Sequence, residues 1–110
     1  MKKQKNQLYL VLSKEWFDEI LAGTKKEEYR AFTDFYISRL CVLDEDREIV
    51  NFKPYETVKF QLGYAKDAPQ MIVEIKNIRI DVDEYAGDFL NAENANFTIE
   101  LGEILEKKNC

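Results

Sequence analysis

Met71-Ile72-Val73-Glu74-Ile75-Lys76-Asn77-Ile78-Arg79-Ile80-Asp81 alternates as a strand does, yet its apolar phase slips midway. Met71, Val73 and Ile75 share one parity, while Ile78 and Ile80 share the other. Successive strand side chains point to opposite faces, so a regular strand would turn the last two isoleucines away from the core. One extra residue near Lys76-Asn77 restores a single apolar face, and such a bulge bends the strand. Phe97, Ile99 and Leu101 also alternate, and the pattern breaks after Gly102 at Ile104-Leu105, which points to a second bulge. Two bent strands with two short helices predict an α+β domain built as a small, curved, open β-barrel.

The rest of the chain supplies the other elements. Gln7–Leu12 is apolar on both faces and reads as a buried central strand. Ser13 offers a hydroxyl to cap a helix, and Leu12 is placed to pack on Phe17 as a hydrophobic staple. Trp16, Phe17, Ile20 and Leu21 fall on one helical face, and Gly23 supplies the left-handed residue that ends it. Trp16 offers a ring for base stacking, but its place on the apolar stripe favours core packing. Glu28-Tyr29-Arg30 reads as a short extended segment, with Glu28 and Arg30 on one face and Tyr29 turned inward on the other. Thr33 can cap a second helix over residues 34–42, with Tyr36, Ile37, Leu40 and Cys41 on its apolar side. Residues 43–55 read as a surface connection, and Thr57–Tyr64 as a half-buried strand.

A chain of 110 residues makes one domain, expected over residues 7–106 between tails at 1–6 and 107–110. No apolar run approaches the roughly 20 residues that span a bilayer, and no secretory leader is expected after the basic MKKQKN start. Cys41 and Cys110 suggest no disulfide framework, so a cytoplasmic location is the expectation. The formal charge is −5, divided as +2 over residues 1–40 and −7 over residues 41–110. That balance argues against indiscriminate binding to phosphate backbones while leaving room for one positive face. Histidine is absent, which removes the commonest metal ligand and the commonest general base near neutral pH. No metal and no cofactor is expected.

Gly23-Thr24-Lys25-Lys26-Glu27-Glu28-Tyr29-Arg30 follows directly on the first helix and is too polar to build a core. Its pattern G-x-K-x-x-E-x-R resembles the signature of the ASCH domains, small relatives of the PUA-like RNA-binding folds. LYLVLSKEWFDEILAGTKKEEYR, FYISRL, VKFQLGYAKDAP, MIVEIKNIRI and FTIELGEIL resemble successive blocks of a compact subgroup common in phages and mobile elements. The resemblance covers residues 8–105. It implies a PUA-like barrel and, as ligand, RNA or a modified nucleotide. Some ASCH relatives hydrolyse the amide of acylated cytidine with a threonine, a lysine and a glutamate, the threonine lying three places after the motif lysine. Here that place holds Glu28, and Thr24 precedes the lysine instead. Other relatives are linked to RNA cleavage.

The residues themselves suggest roles. Arg30 can grip a phosphate or carboxylate with two parallel hydrogen bonds, and Lys25 offers a mobile point charge. Glu28 can accept from a base's exocyclic amine, or can hold the two cations in an internal network that pins the loop. In Gly63-Tyr64-Ala65-Lys66-Asp67-Ala68-Pro69, Tyr64 offers a stacking face and Lys66 a phosphate contact, against the alternative of a plain turn. Lys14 and Glu15 lie in the first turn of the first helix and read as an exposed pair. Binding through Lys25, Glu28, Arg30, Tyr64 and Lys66 is the first expectation. A hydrolase using Lys25 and Glu28 on acylated cytidine or RNA is the second. The third is a phage-type protein-interaction module using the acidic segment 81–93. The sequence sets no oligomeric state.

Overall fold

The structure is a computed structural model that describes residues 6–84, 87 and 89–110. Chain order is β1 (Gln7–Leu12), α1 (Lys14–Ala22), β2 (Glu27–Ala31), α2 (Asp34–Leu40), β3 (Cys41–Leu43), β4 (Ile49–Phe52), β5 (Thr57–Leu62), β6 (Gln70–Val82) and β7 (Ala95–Lys108). The fold is α+β. Five strands form one mixed sheet in the order β1-β5-β6-β7-β2, with β1 parallel to β5 and the remaining neighbours antiparallel.

The bend in β6 lies where the phase slip placed it. Pairing with β7 shifts between Ile75 and Asn77, and again between Ile72 and Ile75, where β7 carries its own extra residues beside Gly102. The two bulged strands keep Met71, Val73, Ile78, Phe97, Ile99 and Leu101 in one core with Leu8, Leu10, Val58, Phe60 and the buried face of α1. A Cβ at Gly102 would meet the exposed Glu74 carboxylate, so a side chain at this bulge would require that carboxylate to swing aside.

The expected barrel does not close. β1 and β2 are the two edges of the sheet, so β1 is an edge strand rather than a central one. Two guanidinium groups cover its open side: Arg30 donates to the Val11 carbonyl at 3.2 Å and Arg39 to the Tyr9 carbonyl at 2.9 Å. Unpaired strand carbonyls near a core need partners, and side chains from β2 and α2 provide them here.

Other expectations change in detail. Ser13 sits at the N-cap of α1, but its hydroxyl makes no capping bond, whereas Thr33 caps α2 by accepting from the Tyr36 N–H. The second helix stops at Leu40, and buried Cys41 opens β3 instead of continuing it. Part of the expected surface connection is the β3–β4 hairpin, closed by the Asp44 carboxylate accepting from the N–H groups of Asp46 and Glu48 at 2.8 and 2.9 Å. β5 ends at Leu62 because Gly63 turns the chain with φ +70. At the other end β7 runs to Lys108, paired with Gln70, into the stretch expected as a tail. No helix among the described residues is long and apolar enough to cross a membrane.

Candidate functional site

The motif begins at a helix end. Gly23 is left-handed at φ 84, which lets the N–H groups of Gly23, Thr24 and Lys25 return to the last carbonyls of α1, Ile20 and Glu19, at 3.0–3.2 Å. The Thr24 hydroxyl donates to the same Glu19 carbonyl at 3.2 Å. Next, the Lys26 carbonyl accepts from the Leu101 N–H at 2.9 Å, and β2 starts. The backbone of the motif is therefore fixed at both ends before any of its side chains is placed.

Along β2 the side chains alternate. Glu28 pairs with Ile99 and Arg30 with Phe97, which puts both on the core side of the sheet. Glu28 is only 3% exposed. Arg30 donates to its carboxylate in a very short contact, and Lys25 Nζ stands 3.9 Å from Glu28 Oε1. Arg30 also donates to the Tyr29 carbonyl at 3.1 Å and lies 5.7 Å from the Tyr36 ring, while its Nε is buried with no acceptor among the described residues. Thus Lys25, Glu28 and Arg30 come together as a closed ion-pair network. Taking such charges from water is costly, and each is held because the others are there.

Lys25 is not a mobile charge. Its ammonium sits 4.9 Å from the Trp16 ring centroid and 4.7 Å from that of Tyr29, an arrangement that attracts a cation to both ring faces. Trp16 is 41% exposed and so is not the core residue that the apolar stripe implied. Tyr29 is 49% exposed and faces outward, correcting the expectation that it turns inward. Its register partner is Thr98, on the side of the sheet away from the core. Beside Lys25 lies a cleft of about 290 Å³, bordered by Gly23, Lys26, Gly102, Glu103 and Lys107, with buried Ile20 and Leu101 also in its lining.

The second candidate block stands apart. Tyr64 is 86% exposed because the turn at Gly63 breaks the parity that would have carried it inward. Asn109 donates to the Asp67 carbonyl, fixing the turn to the end of β7. Among the described residues, neither Tyr64 nor Lys66 shares a hydrogen bond, ion pair or ring contact with the motif. Lys14 pairs with Asp18, not with Glu15. Of the acidic segment 81–93, Tyr85, Ala86 and Asp88 lie outside the described residues.

A second polar network covers the outer face of β2, β7 and β6. Arg79 bridges Asp81 at 2.8 Å, Glu100 at 2.5 Å and Glu27 at 3.2 Å. Tyr29 donates to Glu27 at 2.7 Å, and buried Thr98 donates to Asp81. The Arg79 guanidinium, helped by the Thr98 hydroxyl, holds the Asp81 carboxyl below its ordinary range. The Tyr29 hydroxyl, then Arg79, does the same for Glu27, and the Glu27 carboxylate pushes the Tyr29 phenol up. The sequence carried a signal for this network: Asn77, Arg79 and Asp81, and likewise Asn96, Thr98 and Glu100, occupy the polar parity of their strands.

Comparison of the chain with protein-family models, with curated proteins and with solved structures gives no match.

Proposed function

We propose that this chain binds RNA or a modified nucleotide at the cleft beside Lys25, on the PUA-like architecture implied by its resemblance to the ASCH domains. The observation that carries this reading is the setting of Lys25, a cation between two half-exposed rings at the rim of a cleft. Proteins that hold unpaired nucleotides combine positive charge for the phosphate with aromatic faces for the base. Here Lys25, Lys26 and Lys107 supply the charge, and Ile20 with Leu101 apolar surface in the cleft. Trp16 and Tyr29 do not line the cleft itself and join the site through the Lys25 ammonium that lies against both rings. Glu28 and Arg30 act from beneath, as the counter-charge and clamp that hold Lys25 in place. Tyr64 and Lys66 would reach only a ligand that extends beyond this cleft. A cytoplasmic location belongs to the same proposal.

Hydrolysis of acylated cytidine or of RNA has less support in the geometry. Glu28 is buried and bonded to Arg30, and the Thr24 hydroxyl is committed to a helix-end carbonyl. Trp16 is the only tryptophan among six tyrosines, so fluorescence excited selectively at tryptophan reports on the surroundings of Lys25. Titration with uridine monophosphate (UMP) or short single-stranded RNA is expected to quench it saturably, leaving the ligand intact. Lys25→Ala is expected to weaken binding roughly tenfold, in keeping with the loss of one charged contact. An unchanged spectrum at millimolar nucleotide would overturn the proposal, and turnover lost in Lys25→Ala would favour the hydrolase.

A further inference from the structure

We infer that the motif cleft is one half of a longer phosphate track, and that the ligand is an oligonucleotide rather than a single nucleotide. This inference rests on the nucleotide-binding reading above. A second cleft of about 170 Å³ lies at the far end of β7, bordered by Lys59, Ile72, Glu106, Lys107 and Lys108. Lys107 borders both clefts, but it pairs with Met71 on the core side while Lys59, Ile72 and Glu106 share the opposite face. The two clefts therefore lie on opposite faces of the sheet and meet only across the β7 edge.

The path between them is open. β2 pairs with β7 only as far as Glu100, and the Leu101 N–H bond to Lys26 is the last link on that side. Beyond it, the edge of β7 carries no strand among the described residues, and a flexible chain can cross from one cleft to the other. Lys59, Ile72 and Glu106 form one row across β5, β6 and β7, which places Lys59 about 10 Å from β7, two strand spacings away.

Charge supports the same path. Lys14, Lys25, Arg30 and Arg79 all have carboxylate partners. Lys26, Lys59, Lys107 and Lys108 have no ion pair or side-chain hydrogen bond among the described residues, a property they share with Lys53, Lys66 and Lys76. What distinguishes the first four is that they line the two clefts. Three of these four lie in the half of the sequence whose net charge is −7, yet they gather around one strand end. Against them the clefts are lined by Glu103 and Glu106, with the Glu74 carboxylate at the margin where it accepts from the Glu103 N–H, which leaves the track a small local excess of positive charge on a negative protein. Phosphate backbones are drawn to such a stripe, and each contact adds to the salt dependence of binding.

The test compares UMP, read by Trp16 fluorescence, with a labelled oligouridylate of about six nucleotides, read by anisotropy. The oligomer is expected to bind at least tenfold tighter, with a log–log salt slope of about −2, as about three single-strand phosphate contacts give. In the double variant Lys59→Gln/Lys108→Gln the slope is expected to lose about 1.4 and oligomer affinity to fall about tenfold. UMP affinity and the unfolding midpoint should not move. Equal affinity for oligomer and UMP, or an oligomer indifferent to the double variant, overturns the track while leaving the nucleotide site standing. UMP bound no better by the native protein than by Lys25→Ala overturns the nucleotide reading itself, and the track with it.

Discussion

β2 carries two ion networks on its two faces, and they differ in what water can reach. Glu28 and Arg30 point to the core side, where Glu28 is buried between two cations. Glu27 and Tyr29 point outward, where Arg79 ties Glu27 to Asp81 and Glu100 at the solvent surface. Residue types are nearly the same on both sides. The inner network, once formed, is hard to break, because removing one partner strands a charge in a poor solvent. In the outer one, whose charged groups reach solvent, water can replace a lost ionic partner. Lys25 connects the two: it reaches the inner carboxylate and lies against the outer tyrosine ring.

The largest expected effect is at Glu28. Glu28→Ala leaves Lys25 and Arg30 without their counter-charge and should cost about 3–5 kcal/mol in urea unfolding. Glu27→Ala should cost far less, and equal losses would break the distinction between the faces. Next comes Arg30→Lys, which keeps the charge but cannot reach Glu28 and the Val11 carbonyl together. It should cost about 1–3 kcal/mol and speed amide exchange in β1, as an uncovered strand edge implies.

A smaller effect separates the faces by pH. Asp81 and Glu27 have folded pKa values below their ordinary 3.8 and 4.5, so the unfolded chain binds their protons first. Their stabilisation is present above those values and lost as pH falls through the lowered ones. Unfolding midpoints measured from pH 5 downward should therefore fall less steeply in Arg79→Gln than in the native protein. Smallest is Tyr29→Phe. The native phenol titrates above its ordinary 10.0, so its contribution is full below that pH and fades as pH rises past the raised value. The phenylalanine variant should lose this alkaline component in a spectrophotometric titration of stability, and an unchanged alkaline limb would place Tyr29 outside the outer network.

Much of the framework was legible in the residues. The phase slip at Lys76-Asn77 located a bulge, since burial of Ile75 and Ile78 on one side demands it. The motif's pattern brought Lys25, Glu28 and Arg30 together, and strand alternation paired Glu28 with Arg30. Strand alternation sets Tyr29 opposite Glu28 and Arg30 but does not say which face is the core, and its hydroxyl and ring serve Glu27 and Lys25 at the surface. Trp16 sits at the margin of the apolar stripe of α1, where helical spacing alone does not distinguish burial from a cation partner brought in after the helix. β1 has the composition of a central strand because arginines from β2 and α2, distant in sequence, shield its edge. The β3–β4 hairpin is short and largely exposed, so neither strand shows the alternation that marks β5.

The most direct test is an amide chemical-shift map by NMR during titration with a short single-stranded RNA. The expected result is that the largest shifts cluster at Lys25, Lys26, Gly102, Glu103 and Lys107, while Arg79, Asp81 and Asn96 on the outer face stay still. Shifts confined to Arg79, Asp81 and Asn96, or none at saturating RNA, would contradict the assignment of the site to the cleft beside Lys25.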